Sequence, residues 1–446
     1  MLNKLSHTIL KFPISVMTII LLITAYFFHN AFLSEQRLKV DFSLEQMFPE
    51  SDPEKDAYQL FIDEFSREDD KILLVYDCDN PTSRKNISRI AELTEMMELD
   101  IDGIEGVISL SSIGDGDYFS EDLTDEEWNT QVEKLLQHPI YPNLIISSDG
   151  KTGSLLIDLE NDVIGQDART RVVSQLETVM NKVNWEWHEA GIPVLRTRYI
   201  QFMNQERAVF LPISFLVAMS VLLFIFRQIK SILIPLIAIS TTLIWVAGIM
   251  AHFEISINVV SYLTFNLLMI IGASNAIHLL MKYHEGLSLG LSQRDSLERV
   301  IQKIGGALFL TSFTTAVGFC SLGFTNIKVT QQFGLLVGFG VILMFILTII
   351  IMPIILNYIR PPDDEHIDRL IRGGQFLAAD RLNIWNQKHP RSILTISGIL
   401  FIGALFGLFK IDYNASVLED LKPGNPLYDD LQYVEQKMGG TLPLEV

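Results

Sequence analysis

The sequence predicts an α-helical polytopic membrane protein with an inserted α+β domain, ferredoxin-like in its units, on the extracytoplasmic side. Two observations lead there. Seven apolar runs have the length of a bilayer span, at 12–33, 209–226, 231–251, 257–281, 304–324, 332–357 and 393–409. Charge is also segregated: residues 34–207 hold 37 Asp and Glu against 16 Lys and Arg, and the rest of the chain holds 16 against 18. One acidic, water-facing segment is therefore set into a near-neutral membrane protein. Its acidity reads as the solvation of a domain surface. It argues against nucleic acid as a partner, because phosphate backbones are bound by basic surfaces.

The first span follows Lys4 and Lys11. It is longer than a signal-peptide core and lacks a small-x-small cleavage site, so it reads as an uncleaved anchor. Arg227 and Lys230 lie in the next tight connection, Lys282, Arg294, Arg299 and Lys303 between the fourth and fifth spans, and Arg360, Arg369, Arg372, Arg381, Lys388 and Arg391 between the sixth and seventh. If every run crosses once, all of these fall on one side. The positive-inside rule makes that side cytoplasmic, with the N-terminus, and places 34–207 and the C-terminal tail outside. Pro212, Pro235 and Pro353 are expected to kink or begin spans, and Gly305-Gly306 to mark a flexible start of the fifth.

Within the acidic segment, strand-like and helix-like stretches alternate. KILLVYD (71–77), GVISL (106–110), YPNLIIS (141–147), GSLLIDL (153–159) and GIPVLRT (191–197) read as strands. The third and fourth of these can pair through the Ser-Asp-Gly turn at 148–150. Residues 84–98, 125–137 and 167–182 read as helices, and the alternation suggests β-α-β units. Trp185 and Trp187 are expected in its core or at its rim. The stretch 361–392 opens with Pro361-Pro362 and scatters Ile367, Leu370, Ile371, Phe376, Leu377, Leu382 and Trp385 among charges, which suggests a helix along the membrane surface. The plan is an N-terminus and first span over 1–33, the α+β domain over 34–207 and a five-span block over 208–360. A linker over 361–392, a seventh span over 393–410 and the start of a second extracytoplasmic domain over 411–446 follow.

The fourth span carries the most informative polar residues. Ser274, Asn275 and His278 are three and four positions apart, which places them on one helical face. Polar side chains inside a span are costly unless they face protein or water, so the stripe is a candidate site; plain helix–helix glue is the alternative. On the fifth span Thr311, Thr314, Thr315 and Ser321 make a hydroxyl-rich face, beside which Gly318 permits close approach; small-residue packing accounts for it as well as substrate contact does. Cys78 and Cys320 sit in a soluble and an apolar segment and are not expected to pair. No CxxC, HExxH, GxSxG or GxxxxGK[ST] motif is present, so no cofactor, metal or ATP site is expected, nor a nucleophile–base constellation of an enzyme.

The chain also repeats itself. Lys39-Val40-Asp41-Phe42 after the first span is echoed by Lys410-Ile411-Asp412-Tyr413 after the seventh. Phe48-Pro49-Glu50-Ser51-Asp52-Pro53, then Tyr58 and Phe61, is echoed by Leu421-Lys422-Pro423-Gly424-Asn425-Pro426, then Tyr428 and Leu431. Lys11-Phe12-Pro13 matches Lys388-His389-Pro390. Such duplication is a transporter device, and a complete duplicated protein would run to roughly 750 residues. The second copy stops at Val446, so a C-terminal half is an expected partner.

One span, a large loop, five spans and a restart resembles the resistance–nodulation–division (RND) superfamily. More narrowly, it resembles the MMPL branch, whose five-span block is similar to the sterol-sensing domain. Three motifs carry the resemblance, which covers essentially the whole chain: Val40-Asp41-Phe42 with Phe48-Pro49, at the start of a porter-type domain; Thr311-Ser312-Phe313-Thr314-Thr315-Ala316-Val317-Gly318-Phe319; and Ala276-Ile277-His278-Leu279 with Tyr283-His284-Glu285. The resemblance implies an exporter, monomeric or homo-oligomeric, that sits in a bacterial inner membrane and moves hydrophobic or lipid-like substrates, usually on the proton gradient. It also implies that relatives keep proton-carrying acids just before the Ala-Ile-His positions. Here Ser274 and Asn275 stand there, and neither titrates; Glu254 and Glu285 lie outside the span's core. Histidine is the side chain whose ordinary pKa, roughly 6.5, could replace them, which makes His278 the candidate relay. Two rivals follow from the same likeness: a sterol-sensing-type lipid-binding or regulatory protein without ion coupling, and an accessory to protein translocation.

Overall fold

The computed structural model of the chain describes residues 9–34, 38, 60, 70–116, 118–120, 122–160, 163, 166–258, 260–372, 383–410 and 424–440. Their described parts form two compact units, Met1–Asp52 with Gln205–Tyr413, and Pro53–Asn204 with Asn414–Val446. Val40-Asp41-Phe42, Phe48-Pro49 and most of the repeat lie outside the described residues, as do Phe376, Leu377 and Leu382 of the linker. Cys78 and Cys320 are free thiols.

In the second unit, β1 (Lys71–Asp77), α2 (Arg84–Asp100), β2 (Ile104–Ile108), α3 (Asp125–Leu136), β3 (Thr152–Leu159), α4 (Gln166–Met180) and β4 (Glu186–Ala190) follow one another; α1 is the first span, described below. The sheet order is β2-β3-β1-β4 and all three pairings are antiparallel. Two β-α-β units are thus interleaved, each with a strand of the other between its own two, which is the ferredoxin-like arrangement. Local chemistry sets the helix starts. Ser83 caps α2 by accepting from the Asn86 amide, and Thr124 with Glu127 forms a capping box on α3. One face of the sheet packs Ile72, Leu74 and Tyr76 against Ile90, Leu93 and Met97 of α2 and Leu176 and Met180 of α4. The other face packs Val75 and Ala190 against Leu427, Leu431 and Val434 of α12 (Pro426–Met438), which belongs to the second repeat copy. Trp185 and Trp187 are partly buried against the core, and Trp185 stacks on Tyr76 at 5.0 Å.

Two expected strands are not strands. Residues 141–147 turn on themselves: the Tyr141 carbonyl accepts from the Leu144 and Ile145 amides, and Asn143 takes a φ of 68°. Among the described residues one isolated bridge, Ile146 to Gly153, remains of the ladder, and a second, Pro142 to Ile146, closes within the run itself. The run is apolar because Ile145 and Ile146 plug the core from a loop. Residues 191–197 begin a helix, and the last strand is the preceding EWHEA. Gly191 makes the switch with a φ of 114°, and Pro193 brings a preset helical φ to the first turn. A Cβ at Gly191 would collide with the Lys71 carbonyl oxygen and sit 3.3 Å from Ile72 Cα. Gly191→Ala is therefore expected to destabilise this unit by about 2 kcal/mol or more, read as faster hydrogen exchange in β1 and β4. Gly424→Ala, where a Cβ meets nothing within 4 Å, shares the positive φ and separates strain from collision.

Among the described residues, seven helices are long and apolar enough to cross a membrane, one for each expected run: α1 (Pro13–Phe28, continued by a π-turn to Leu33), α5 (Ile192–Phe226), α6 (Lys230–His252), α7 (Leu263–Ser288), α8 (Gln293–Cys320, continued by a 3-10 turn to Phe324), α9 (Lys328–Tyr358) and α11 (Pro390–Leu408). In the first unit α6, α7 and α9 are the most buried, while α1, α8 and α11 expose most of their surface. Small residues let the helices close up. A Cβ at Gly248 of α6 would lie 2.7 Å from Phe27 Cα of α1, and Trp245 donates to Thr24 Oγ1 nearby at 2.8 Å. Pro212, Pro235 and Pro353 all lie inside helices. Gly305-Gly306 does not start the fifth span. Ser292, well upstream of both, caps that helix, accepting from the Asp295 amide at 3.1 Å, so both glycines are interior. In the linker, α10 (Asp364–Arg372) packs against α7 and buries Ile367 and Leu370.

Candidate functional site

The fourth span begins after an Asx turn, in which Asn258 Oδ1 accepts from the Ser261 amide at 2.7 Å. From there α7 buries Leu268, Gly272, Asn275, Ala276, Leu279 and Tyr283, a stripe at helical spacing. Gly272 sets its depth: a Cβ there would lie 2.8 Å from Ile239 Cγ1 of α6 and from Met344 Cε of α9. A Cβ at Gly340 would lie 2.7 Å from Leu268 Cδ1, so α7 and α9 run parallel with 268 beside 340 and 272 beside 344.

The predicted polar face divides in two. Ser274 and His278 are exposed and continue the outward stripe of Ile270, which is 62% exposed. Asn275, one position on and therefore about 100° around the helix, is buried at 5% exposure. Three- and four-residue spacing joins Asn275 to His278 and Ser274 to His278 but leaves Ser274 and Asn275 on either side of the helix's buried edge. The register with α9, carried on by one turn, sets Asn275 level with Thr348. Thr348 is 2% exposed, and neither its Oγ1 nor Asn275 Nδ2 has a hydrogen-bond partner. Thr264 on α7 and Ser312 on α8 are buried with unpartnered hydroxyls as well. This inward polar set was missed by the sequence reading, apart from Asn275. Thr348 stands alone in an apolar run, and only the helix register pairs it with the fourth span.

Thr311 and Thr314 of α8 are exposed and Thr315 is half-buried. Their hydroxyls donate to carbonyls of their own helix, Thr311 to Ala307 and Thr314 and Thr315 to Thr311, each at 2.9 Å. Self-satisfied donors can lie against an apolar surface at little cost while their lone pairs stay available. Gly318, where a Cβ would meet nothing within 4 Å, lies on this open side and supports no helix contact within the described chain. Among the described residues no hydrogen bond joins these threonines to Ser274 or His278, and no group of three or more His, Cys, Asp or Glu is placed to hold a metal ion. The first unit therefore presents two outward polar faces, on the fourth and fifth spans, and a set of buried polar groups that includes Asn275 and Thr348.

Comparison with known proteins places the chain among membrane proteins. The profile of the MMPL family matches residues 47–376. A protein of Methanocaldococcus jannaschii, described only as a membrane protein, is 21% identical over 398 residues, covering 83% of this chain and 96% of the relative.

Proposed function

This chain belongs to the MMPL family, and we propose that it is an RND-type transporter that exports lipid-like or hydrophobic compounds across a bacterial inner membrane, with an ion gradient as the driving force. What supports this reading is the outward pair on the fourth span, Ser274 and His278, a polar stripe on a helix of spanning length. A stripe of that kind fits against a counterpart helix, supplied by a C-terminal half of the same protein or by a second copy. Alternating access would then move the two fourth spans against each other and be felt by the acidic domain, which would lie outside and pass the substrate. His278 is the relay candidate, while Asn275 and Thr348 orient the helix from within. Thr311, Thr314 and Thr315 offer acceptors along the path.

The absence of an acid at 274 and 275 favours a second reading, a sterol-sensing-type lipid-binding protein that couples to no ion. Reconstitution separates the two. With a proton gradient imposed on vesicles holding the full protein, export is expected to depend on the gradient and to fall at least ten-fold in His278→Ala, by analogy with the loss of a positioned proton-transfer group. Equal export in wild type and variant removes the relay role. Export or binding indifferent to the gradient in the wild type selects the second reading.

A further inference from the structure

At one end of the first unit a cavity of about 460 Å³ opens between the α5–α6 connection, the last turns of α7 and the residues that follow α9. That is within the roughly 300–1,000 Å³ of small-molecule sites. Three elements bring charge and hydrogen-bonding groups to it. Lys230 begins α6, and Arg360 follows α9; both are exposed, and neither makes an ion pair with a described residue. The cap of α6, Ile229, offers no side-chain acceptor, so the amides of Lys230 and Ser231 at this helix start are left without intrahelical partners. His284 lines the wall, 1% exposed and stacked on Phe226 at 5.6 Å. Its Nδ1–H donates to the Leu280 carbonyl at 2.7 Å, and its Nε2 has no partner. Asp363 is the one acid on the lining, so two cations and a helix start outweigh it. Gln293 holds the mouth by donating to the Leu356 and Ile359 carbonyls, the latter at 2.7 Å, so the cavity is preformed.

What leads away from the rim is apolar. Ile229, Leu233 and Ile237 are 69%, 53% and 46% exposed and recur every four residues, which makes one stripe running from the cavity along the outside of α6. A soluble anion has no use for such a stripe. An amphiphile with a phosphate head and acyl chains fits both parts at once. We infer that this cavity binds the phosphate-bearing headgroup of an anionic membrane lipid, with its chains along Ile229, Leu233 and Ile237. Lys230, Arg360 and the free amides of α6 hold the phosphate, and the His284 ring packs behind them in the wall. The inference rests on the helices spanning a membrane and not on transport, so it is tested without a gradient.

The test uses the full chain in a zwitterionic detergent, with phosphatidylglycerol as the probe. Retained lipid is counted by native mass spectrometry, and thermal stabilisation is titrated. Wild type is expected to retain phosphatidylglycerol over phosphatidylcholine. K230Q/R360Q is expected to bind it about ten-fold more weakly while unfolding at the same temperature in lipid-free detergent. Leu233→Gln is expected to weaken the lipid and leave inorganic phosphate unaffected. R299Q/K303Q, which removes two cations from α8, is expected to change nothing. Equal loss in the two double variants, or none in K230Q/R360Q, overturns the site. Stabilisation by glycerol phosphate or inorganic phosphate equal to that by the lipid overturns the lipid as its source.

Discussion

Gly334→Val is expected to leave little folded protein in the membrane unit. α8 and α9 cross where Gly334 meets the end of the fifth span. A Cβ at 334 would enter the Phe319 carbonyl oxygen and lie 2.6 Å from Leu322 Cβ. One turn on, a Cβ at Gly338 would lie 3.0 Å from the Ala316 carbonyl oxygen. The obstacles are backbone atoms and a Cβ, and these cannot swing aside as a flexible side-chain tip can. The helix beyond Cys320 tightens into a 3-10 turn, so the crossing has little room to slide. Overpacking costs about 1–3 kcal/mol where neighbours yield; here about 3 kcal/mol or more is expected. Size-exclusion in detergent after a thermal ramp should show the monodisperse peak lost far below the wild-type midpoint. Gly403→Val on α11, where a Cβ meets nothing within 4 Å, is the matched control and should stay near wild type. Similar behaviour of the two variants would mean that the α8–α9 contact is looser than the geometry requires.

The largest effect in the other unit is expected from Arg198→Met. Arg198 reaches Glu189 at 2.5 Å and also pairs with Glu177, while Gln201 accepts from its third nitrogen at 3.2 Å. Glu189 is 3% exposed, and burial, with Asp430 nearby, pushes its carboxyl up to about 8; the adjacent guanidinium opposes that shift. Without Arg198 the buried carboxyl has no counterion once it ionises, above about 8, a loss of about 3–5 kcal/mol there for a broken buried pair. The sign with pH follows from the raised value. Folded Glu189 keeps its proton from its ordinary range up to about 8, while the unfolded chain releases it, so stability falls as pH rises through that window. Below about 8 both folded proteins hold that proton, so the variant should stay close to wild type near pH 6, roughly mid-window, and fall behind at roughly pH 9.5, where the wild type can ionise Glu189 against Arg198 and the variant cannot. Hydrogen exchange in β4 and α4 at the two pH values would show it. An equal loss at both would mean that Arg198 acts by packing alone.

These two sites differ in how much of them the sequence could announce. The seven spans were legible because a bilayer imposes its length on each helix separately, and an apolar run of that length needs no neighbour to explain it. β1 was legible to the residue, since KILLVYD is bounded by charge on both sides and rich in residues that suit a pleated sheet. The Glu189–Arg198–Glu177 cluster was not, because its members lie on a strand and two helices and meet only through the sheet order. Residues 141–147 and 191–197 were misread for one reason. A short apolar run states that side chains are buried and leaves the backbone path open, and Asn143 and Gly191 settled that path with positive φ angles.

The fourth span shows the same division most clearly. Sequence alone established that this is a chain of the MMPL type with seven apolar runs of spanning length, that its polar residues gather on the fourth and fifth of them, and that no acid occupies the middle of the fourth. Those are properties of composition and local period. Tertiary packing decided which way each polar residue turns. Gly272 lets α6 and α9 close on one side of α7, and that contact draws Asn275 inward, level with Thr348, while leaving Ser274 and His278 outside. A helical period defines angles between residues. Only the neighbours define which angle is the inside.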